Sequence, residues 1–178
     1  ALLSSIRHPS IAHAHDFGYL GERAYFTMEF VPGDSLDAHG ACVDAGAFLS
    51  SARNVAGALG FLHRGGVLHL DVKPSNVIVS SEGGKKRSVL VDFGVFRRGL
   101  AGRPGSRIRG SLPYMAPECF SGGPLGPATD VYALGATFYR VATGRLPRGI
   151  RDTGARDLRE AVDWDPAPTA PSRLGGLA

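Results

Sequence analysis

The sequence predicts an α+β fold, and three features predict it. Two short β-type runs near the N-terminus, 11–17 and 24–31, are parted by Gly18, Gly21 and charged residues, which is hairpin punctuation. Apolar residues then recur with a helical period from Phe48, and again after Thr129. Between those two helices lie three short β-type pieces, "VLHL", "NVIVS" and "SVLVDF".

Each element follows from its residues. The chain opens with antiparallel strands because both runs are short, β-rich and joined by a glycine-containing turn. Phe48, Ala52, Val55, Leu59 and Leu62 fall on one helical face, and "HRGG" supplies the glycine stop. The β-type pieces that follow are separated by a polar turn and by a loop, "SEGGKKR". Residues 94–113 are rich in Gly, Arg and Pro with neither helical nor alternating period, so an extended surface loop is expected there. A loop of that length inside a compact domain is usually functional or disordered. Thr129 can cap the second helix, which carries Val131, Leu134, Phe138 and Val141 and ends at "TGRLP". From residue 163 the tail "DWDPAPTAPSRLGGLA" should be irregular.

Composition bounds the function. The chain has 178 residues, enough for one domain with a sizeable core, and its 43% hydrophobic and 20% charged content is that of an ordinary globular protein. Of the 20 basic residues only Lys73, Lys85 and Lys86 are lysines, which with 25 glycines suggests a GC-rich bacterial source. The net charge of +4 is mild and, outside 97–109, its arginines are scattered, so no nucleic-acid partner is expected. No apolar run is long enough to span a bilayer, and a cytoplasmic location is expected. Cys42 and Cys119 make neither a disulfide framework nor a ligand spacing, and two reduced, partly buried thiols are expected. His13 and His15 share a strand face, but without distant partners they make only a strand edge.

The polar residues Asp71, Lys73 and Asn76 interrupt an otherwise apolar stretch, "HLDVKPSNVIV", at the start of one strand, and Asp92 ends a neighbouring one. Four polar side chains can therefore converge at one sheet edge. On these residues the sequence resembles the catalytic domain of a eukaryotic-type serine/threonine protein kinase of bacteria. The resemblance rests on four motifs in order: "HLDVKPSN", "DFG", "GSLPYMAPE" and "TDVYALGATFYRVATGRLP". It implies a protein-kinase-like fold, mostly the helical C-terminal lobe plus the last strands of the N-terminal lobe and the hinge. Residues 1–30 would end the N-terminal lobe, 31–162 would form the C-terminal core, and 163–178 would be an irregular Pro/Gly-rich segment.

The resemblance also implies roles. ATP and Mg²⁺ would be the cofactors and a protein with Ser or Thr acceptors the substrate. Asp71 would accept or orient the proton of the acceptor hydroxyl, and Lys73 would sit against the transferring phosphate. Asn76 and Asp92 would hold Mg²⁺, which favours hard oxygen ligands. Met28 would lie beside the adenine, the backbone groups of Glu29 and Val31 would bond the base, and Ile78 would floor the pocket. His69 and Phe93, with Leu3 above them, would stack between the lobes, and Asp130 would hold the catalytic loop from below. Ser106, Ser111 and Glu118 would belong to the activation segment and substrate platform. Lys73 and Ser111 match Ser/Thr rather than tyrosine kinases. Read without the resemblance, each of these residues also has a plain structural role, as core packing for Met28, Val31 and Ile78 or a solvated strand end for a lone Asp.

The chain departs from the family's pattern in two ways. Leu70 stands where many such kinases have the Arg that grips an activation-loop phosphate, so control by phosphate–arginine pairing is not expected. The arginines at 97, 98, 103, 107 and 109 face no acidic residue between Asp92 and Glu118, and a solvated basic loop is expected. The family's glycine-rich loop, strand lysine and helix glutamate have no counterpart in these residues, nor does the usual Arg partner of Glu118. A kinase domain truncated at both ends is therefore expected. Each missing preorganised contact costs about 10² to 10³ in rate, so these residues alone should be inactive. Two other readings stay open: a pseudokinase or scaffold module, and a kinase-like phosphotransferase acting on a small molecule.

Overall fold

The computed structural model describes residues 5–38, 44–82, 85–92, 97–98, 111–147, 149–150 and 162–163. Strands β1 (Ala14–Leu20) and β2 (Arg23–Met28) form the expected antiparallel hairpin, with Leu20 opposite Arg23 across a two-residue turn. Gly21, at φ 60°, occupies the left-handed position that such a turn requires. Gly18 is not turn punctuation. It lies inside β1 opposite Tyr25, and a Cβ there would come within 2.7 Å of the tyrosine hydroxyl oxygen, so the missing side chain makes room for the ring. The register slips between Ala14 and Asp16, which makes His15 part of a bulge; its ring packs edge-on against His13, with centroids 4.9 Å apart.

The helix expected from Phe48 is α1 (Ala45–Arg64). It starts where Asp44 Oδ1 accepts the Ala47 amide and ends at Gly65, with His63 and Arg64 in its last turn. Val55, Ala58, Leu59 and Leu62 are its buried face. Strand β3 (Asp34–Ser35) precedes it, and β4 (Val67–Leu68), β5 (Val77–Glu82) and β6 (Lys85–Leu90) follow. β3, β5 and β6 make a three-stranded antiparallel sheet in the order β3-β5-β6. The segment "SEGGKKR" is thus not a loop as expected: the ladder runs out to Glu82 opposite Lys85, leaving only residues 83–84 between the strands. Gly33, at φ 141°, passes so close to the Val79 carbonyl that no Cβ fits between them.

Within 94–113 the described part is strand β7 (Arg97–Arg98), paired antiparallel with β4, and the start of a 3₁₀ turn at Leu112. The extended reading of this stretch therefore gains one short ladder. Helix α2 (Pro117–Ser121) and helix α3 (Pro127–Thr143) come next. The N-cap residue of α3 is Gly126 rather than Thr129, with Pro127 in the first position; Thr129 is the third helical residue, and its Oγ1 accepts the Gly126 amide. Val131, assigned above to the apolar face of this helix, is 57% exposed, whereas Ala133, Phe138 and Val141 are buried. Strands β8 (Gly149–Ile150) and β9 (Val162–Asp163) pair with each other, and the tail beyond lies outside the described residues.

One core joins these parts. Leu36, Val55, Leu59, Leu62, Val67, Val72, Val77, Leu90, Phe138 and Val141 belong to a single buried cluster, so α1, α3, β4 and β5 meet on the underside of the loop between β4 and β5. A smaller cluster of Ala12, Val31 and Val89, with Ile78 and Val91 against it, lies where the chain leaves the hairpin. Residues 10–12 are fastened to β6 by Leu90 N bonding Ser10 O and Ala12 N bonding Leu90 O, each at 2.9 Å. Among the described residues no helix is long and apolar enough to cross a membrane.

Candidate active site

Asp71, Lys73 and Asn76 do not begin a strand. They lie in the loop after β4, closed by a 3₁₀ turn at Pro74–Asn76 whose C-terminal residue, Val77, starts β5. A loop frees the backbone to turn side chains inward, and here it does so under strain. Leu70 has φ 65°, a left-handed value that branched residues avoid unless the surroundings over-determine it. Asp92, two residues beyond β6, has φ 64°.

The over-determination comes from α3. Asp130, fully buried, accepts the Leu70 amide on Oδ1 at 2.8 Å and the His69 amide on Oδ2 at 2.9 Å. His63 Nε2, at the end of α1, donates to the same Oδ2 at 2.8 Å. These three donors satisfy a carboxylate that would otherwise be costly to bury. Asp130 thus lies beneath the loop and holds two of its amides. His69 is fully buried, and burial depresses its pKa against the pull of Asp130, Asp71 and Asp92, so the ring is held neutral. Its Nδ1 accepts the Asp71 amide at 3.3 Å.

Above this base the functional groups converge on the Asp71 carboxylate. Lys73 Nζ reaches Oδ2 at 2.9 Å, Asn76 Nδ2 donates to Oδ2 at 3.1 Å and to the Asp71 carbonyl at 2.9 Å, and the Ser111 amide donates to Oδ1 at 2.9 Å. Lys73 Nζ also donates to Ser111 Oγ at 2.8 Å. Burial pushes the Asp71 pKa up, but the bonds from Lys73 and Ser111 and the lysine's charge outweigh it and hold the carboxyl below its ordinary value. It is therefore ionised at neutral pH, the state a proton acceptor needs. Asn76 spends its amide nitrogen on Asp71 and keeps Oδ1, a hard oxygen. Val91 N donates to the Asn76 carbonyl at 2.9 Å, which brings the residue before Asp92 against the loop.

The remaining site residues fall on two sides. Met28, 38% exposed, ends β2. The Glu29 amide is spent on the His13 carbonyl at 2.8 Å, which leaves only its carbonyl for a ligand. Val31 is buried against Ala12 and Val89, with Ile78 packed beside them. On the other side, Glu118 in α2 accepts a 2.7 Å bond from Thr129 Oγ1, while that same oxygen accepts the Gly126 amide. Cys119 is half-buried, and Cys42 lies outside the described residues. Leu3, Phe93, Ser106, Arg103, Arg107 and Arg109 also lie outside them.

A model of the protein kinase domain matches residues 1–168. The chain belongs to the protein kinase family. It is 35% identical over 157 residues to the serine/threonine-protein kinase PkaA of Streptomyces coelicolor, covering 84% of this chain and 28% of that protein. It is 33% identical over 153 residues to pkn2 of Myxococcus xanthus, covering 82% and 18%, and 32% identical over 188 aligned positions to PknJ of Mycobacterium tuberculosis, covering 98% and 31%. The kinase chain thus spans under a third of the length of these bacterial relatives. Protein kinases as a family use ATP and Mg²⁺.

The donor set in this kinase chain fits that metal. Among the described residues no three His, Cys, Asp or Glu side chains form a cage, as zinc would need. Asn76 Oδ1 and the Asp92 carboxylate offer two hard oxygens, and Mg²⁺ is usually held by one or two side chains with water and phosphate completing the shell. Three residues of the kinase site escaped the sequence reading: His63, Thr129 and Thr137. His63 looked like a helix C-terminus and Thr129 like a cap. Thr137 alone carried a signal, a hydroxyl seven positions after Asp130 on a helix face that is otherwise apolar.

Proposed function

We propose that the protein is a serine/threonine protein kinase that transfers the γ-phosphate of ATP to Ser or Thr hydroxyls, with Asp71 orienting the acceptor hydroxyl and taking its proton. The observation that carries this reading is the convergence of Lys73, Asn76 and the Ser111 amide on one ionised carboxylate. Those donors fix the carboxylate without neutralising it, which is what phosphoryl transfer asks of a protein: position and charge, with little covalent chemistry. Lys73, tied to both Asp71 and Ser111, would turn to the transferring phosphate when substrate enters. Ser111 reaches the same lysine from the substrate side, which supports a hydroxyl-bearing peptide as acceptor.

Mg²⁺ would neutralise the phosphate charge, held by Asn76 and Asp92. The adenine would lie over Ile78, beside Met28, and bond the Glu29 carbonyl and the backbone of Val31. In this reading residues 1–30 end one lobe and 31–162 form the core of the other, in a cytoplasmic domain. Residues 1–178 contain no glycine-rich phosphate loop, and by themselves should give no measurable transfer to a generic basic protein.

The deciding experiment compares the full-length protein with its Asp71→Asn variant, using labelled ATP, a Ser/Thr peptide library and a panel of small alcohols. Loss of about 10² to 10⁴ in peptide phosphorylation is expected from removing a positioned base. A signalling output that survives Asp71→Asn unchanged would instead make the module a scaffold. Transfer confined to the small alcohols would make it a small-molecule phosphotransferase.

A further inference from the structure

Asp71 lies between the His69–Leu70 and Val72–Lys73 peptide units, and α3 touches both. On the near side Asp130 Oδ1 accepts the Leu70 amide at 2.8 Å. On the far side Thr137 Oγ1 donates to the Val72 carbonyl at 3.3 Å. Resting on the role given above to Asp71, we propose that Thr137 is a positioning residue, which holds Asp71 in register by fixing the Val72–Lys73 peptide, one peptide unit beyond it.

Three observations support this. Thr137 is fully buried, where a valine would fill the same space without a polar group to satisfy. A hydroxyl retained there needs a partner, and a helical threonine ordinarily finds one on its own helix, four residues back. Thr143 does so, donating to the Tyr139 carbonyl at 2.8 Å, whereas the bond recorded for Thr137 crosses to a residue 65 positions earlier. Secondly, Asp130 and Thr137 are seven residues apart, two turns along one face, so a single rigid helix spaces the two anchors. Thirdly, the segment they hold needs holding. Leu70 is in the left-handed region, Val72 is buried, and Asp71 must present both carboxylate oxygens to donors from Lys73, Asn76 and Ser111 at once. With the Val72 carbonyl released, the peptide can rotate and carry the carboxylate away from that geometry. A shift of about 1 Å at a reacting group can cost about 10² in rate.

The test is made in the full-length protein with Thr137→Val and Thr137→Ser, measuring kcat and the KM for ATP per mole of folded protein. One neutral hydrogen bond corresponds to a loss of about 3-fold to 10-fold, so Thr137→Val should lower kcat by that factor and leave the KM for ATP unchanged. Thr137→Ser, which keeps the hydroxyl, should recover most of the rate. A wild-type kcat in Thr137→Val, or equal impairment of the Ser and Val variants, would overturn the proposal. Should Thr137→Val not fold, Thr137→Ala removes the same hydroxyl without bulk and is judged by the same two comparisons. Asp71→Asn run in parallel keeps the readings apart. Full activity in that variant rejects the role of Asp71 itself, whereas an inactive Asp71→Asn beside a fully active Thr137→Val rejects only the positioning.

Discussion

Along β1 the chain turns its large side chains to water: Phe17 is 51%, Tyr19 67% and Leu20 79% exposed. In the loop between β4 and β5 it does the reverse and buries His69, Asp71 and Asn76. The hairpin joins residues close in sequence, through a two-residue turn and a ladder interrupted only at the His15 bulge. Around the loop, Asp71 and Ser111 are 40 positions apart, Leu70 and Asp130 60, and His63 and Asp130 67. Local pairing can therefore form the hairpin by itself, but the site exists only when α1, α3 and the segment at Ser111 have all docked. The cluster around Asp71 should fail whenever the core does, and the hairpin should matter little to that cluster.

The sharpest way to break that contrast is at Asp130. Replacing it with Ala strands the His69 and Leu70 amides and removes the partner of His63, which should destabilise the 178-residue chain by roughly 3 kcal/mol in urea unfolding. A loss under a third of that would mean the loop holds its shape without α3.

Acid should separate the two regions next. His69 has its pKa depressed by burial, so the unfolded chain takes up a proton at pH 6.5 before the folded one does. Stability is then full above pH 6.5 and declines as the pH falls through it, with His8, depressed by burial and by Arg64, acting in the same direction. Asp71 adds a later loss, because its stabilisation is present above pH 3.8 and disappears as the carboxyl is protonated in the folded state. His69→Gln should flatten the first part of the profile of unfolding midpoint against pH, and an unchanged slope would remove His69 as its cause.

The smallest effect belongs to the hairpin. Tyr19→Ser should change stability by less than about 0.5 kcal/mol, because a 67% exposed ring has little contact to lose. A larger drop would show that the exposed face is packed in solution and that the contrast with the loop is overstated.

Much of this was legible beforehand. The face of α1 from Phe48 to Leu62 follows from a 3.6-residue period, whereas Asp71, Lys73 and Asn76, expected at the start of a strand, lie in the loop before β5. The errors were of two kinds. Gly18 and "SEGGKKR" look like breaks because glycine usually marks one, whereas a cross-strand tyrosine fills the gap at Gly18 and the ladder continues to Glu82 opposite Lys85. Val131 and Thr129 were misplaced because the period of α3 does not reveal which neighbours cover it. α2 approaches at Thr129, through Glu118, and leaves Val131 in water.

The sequence by itself determined the N-terminal hairpin and the two long helices, since periodicity and residue type are local properties of the chain, and its motifs determined the family. Which nitrogen meets which oxygen was decided only in three dimensions. The bonds of His63 to Asp130, of Thr137 to Val72 and of Ser111 to Asp71 join residues 40 to 67 positions apart, and no local pattern encodes them. The physical reason is desolvation: a polar group can be buried only where a partner waits, and the packing of the helices against the loop decides where that is.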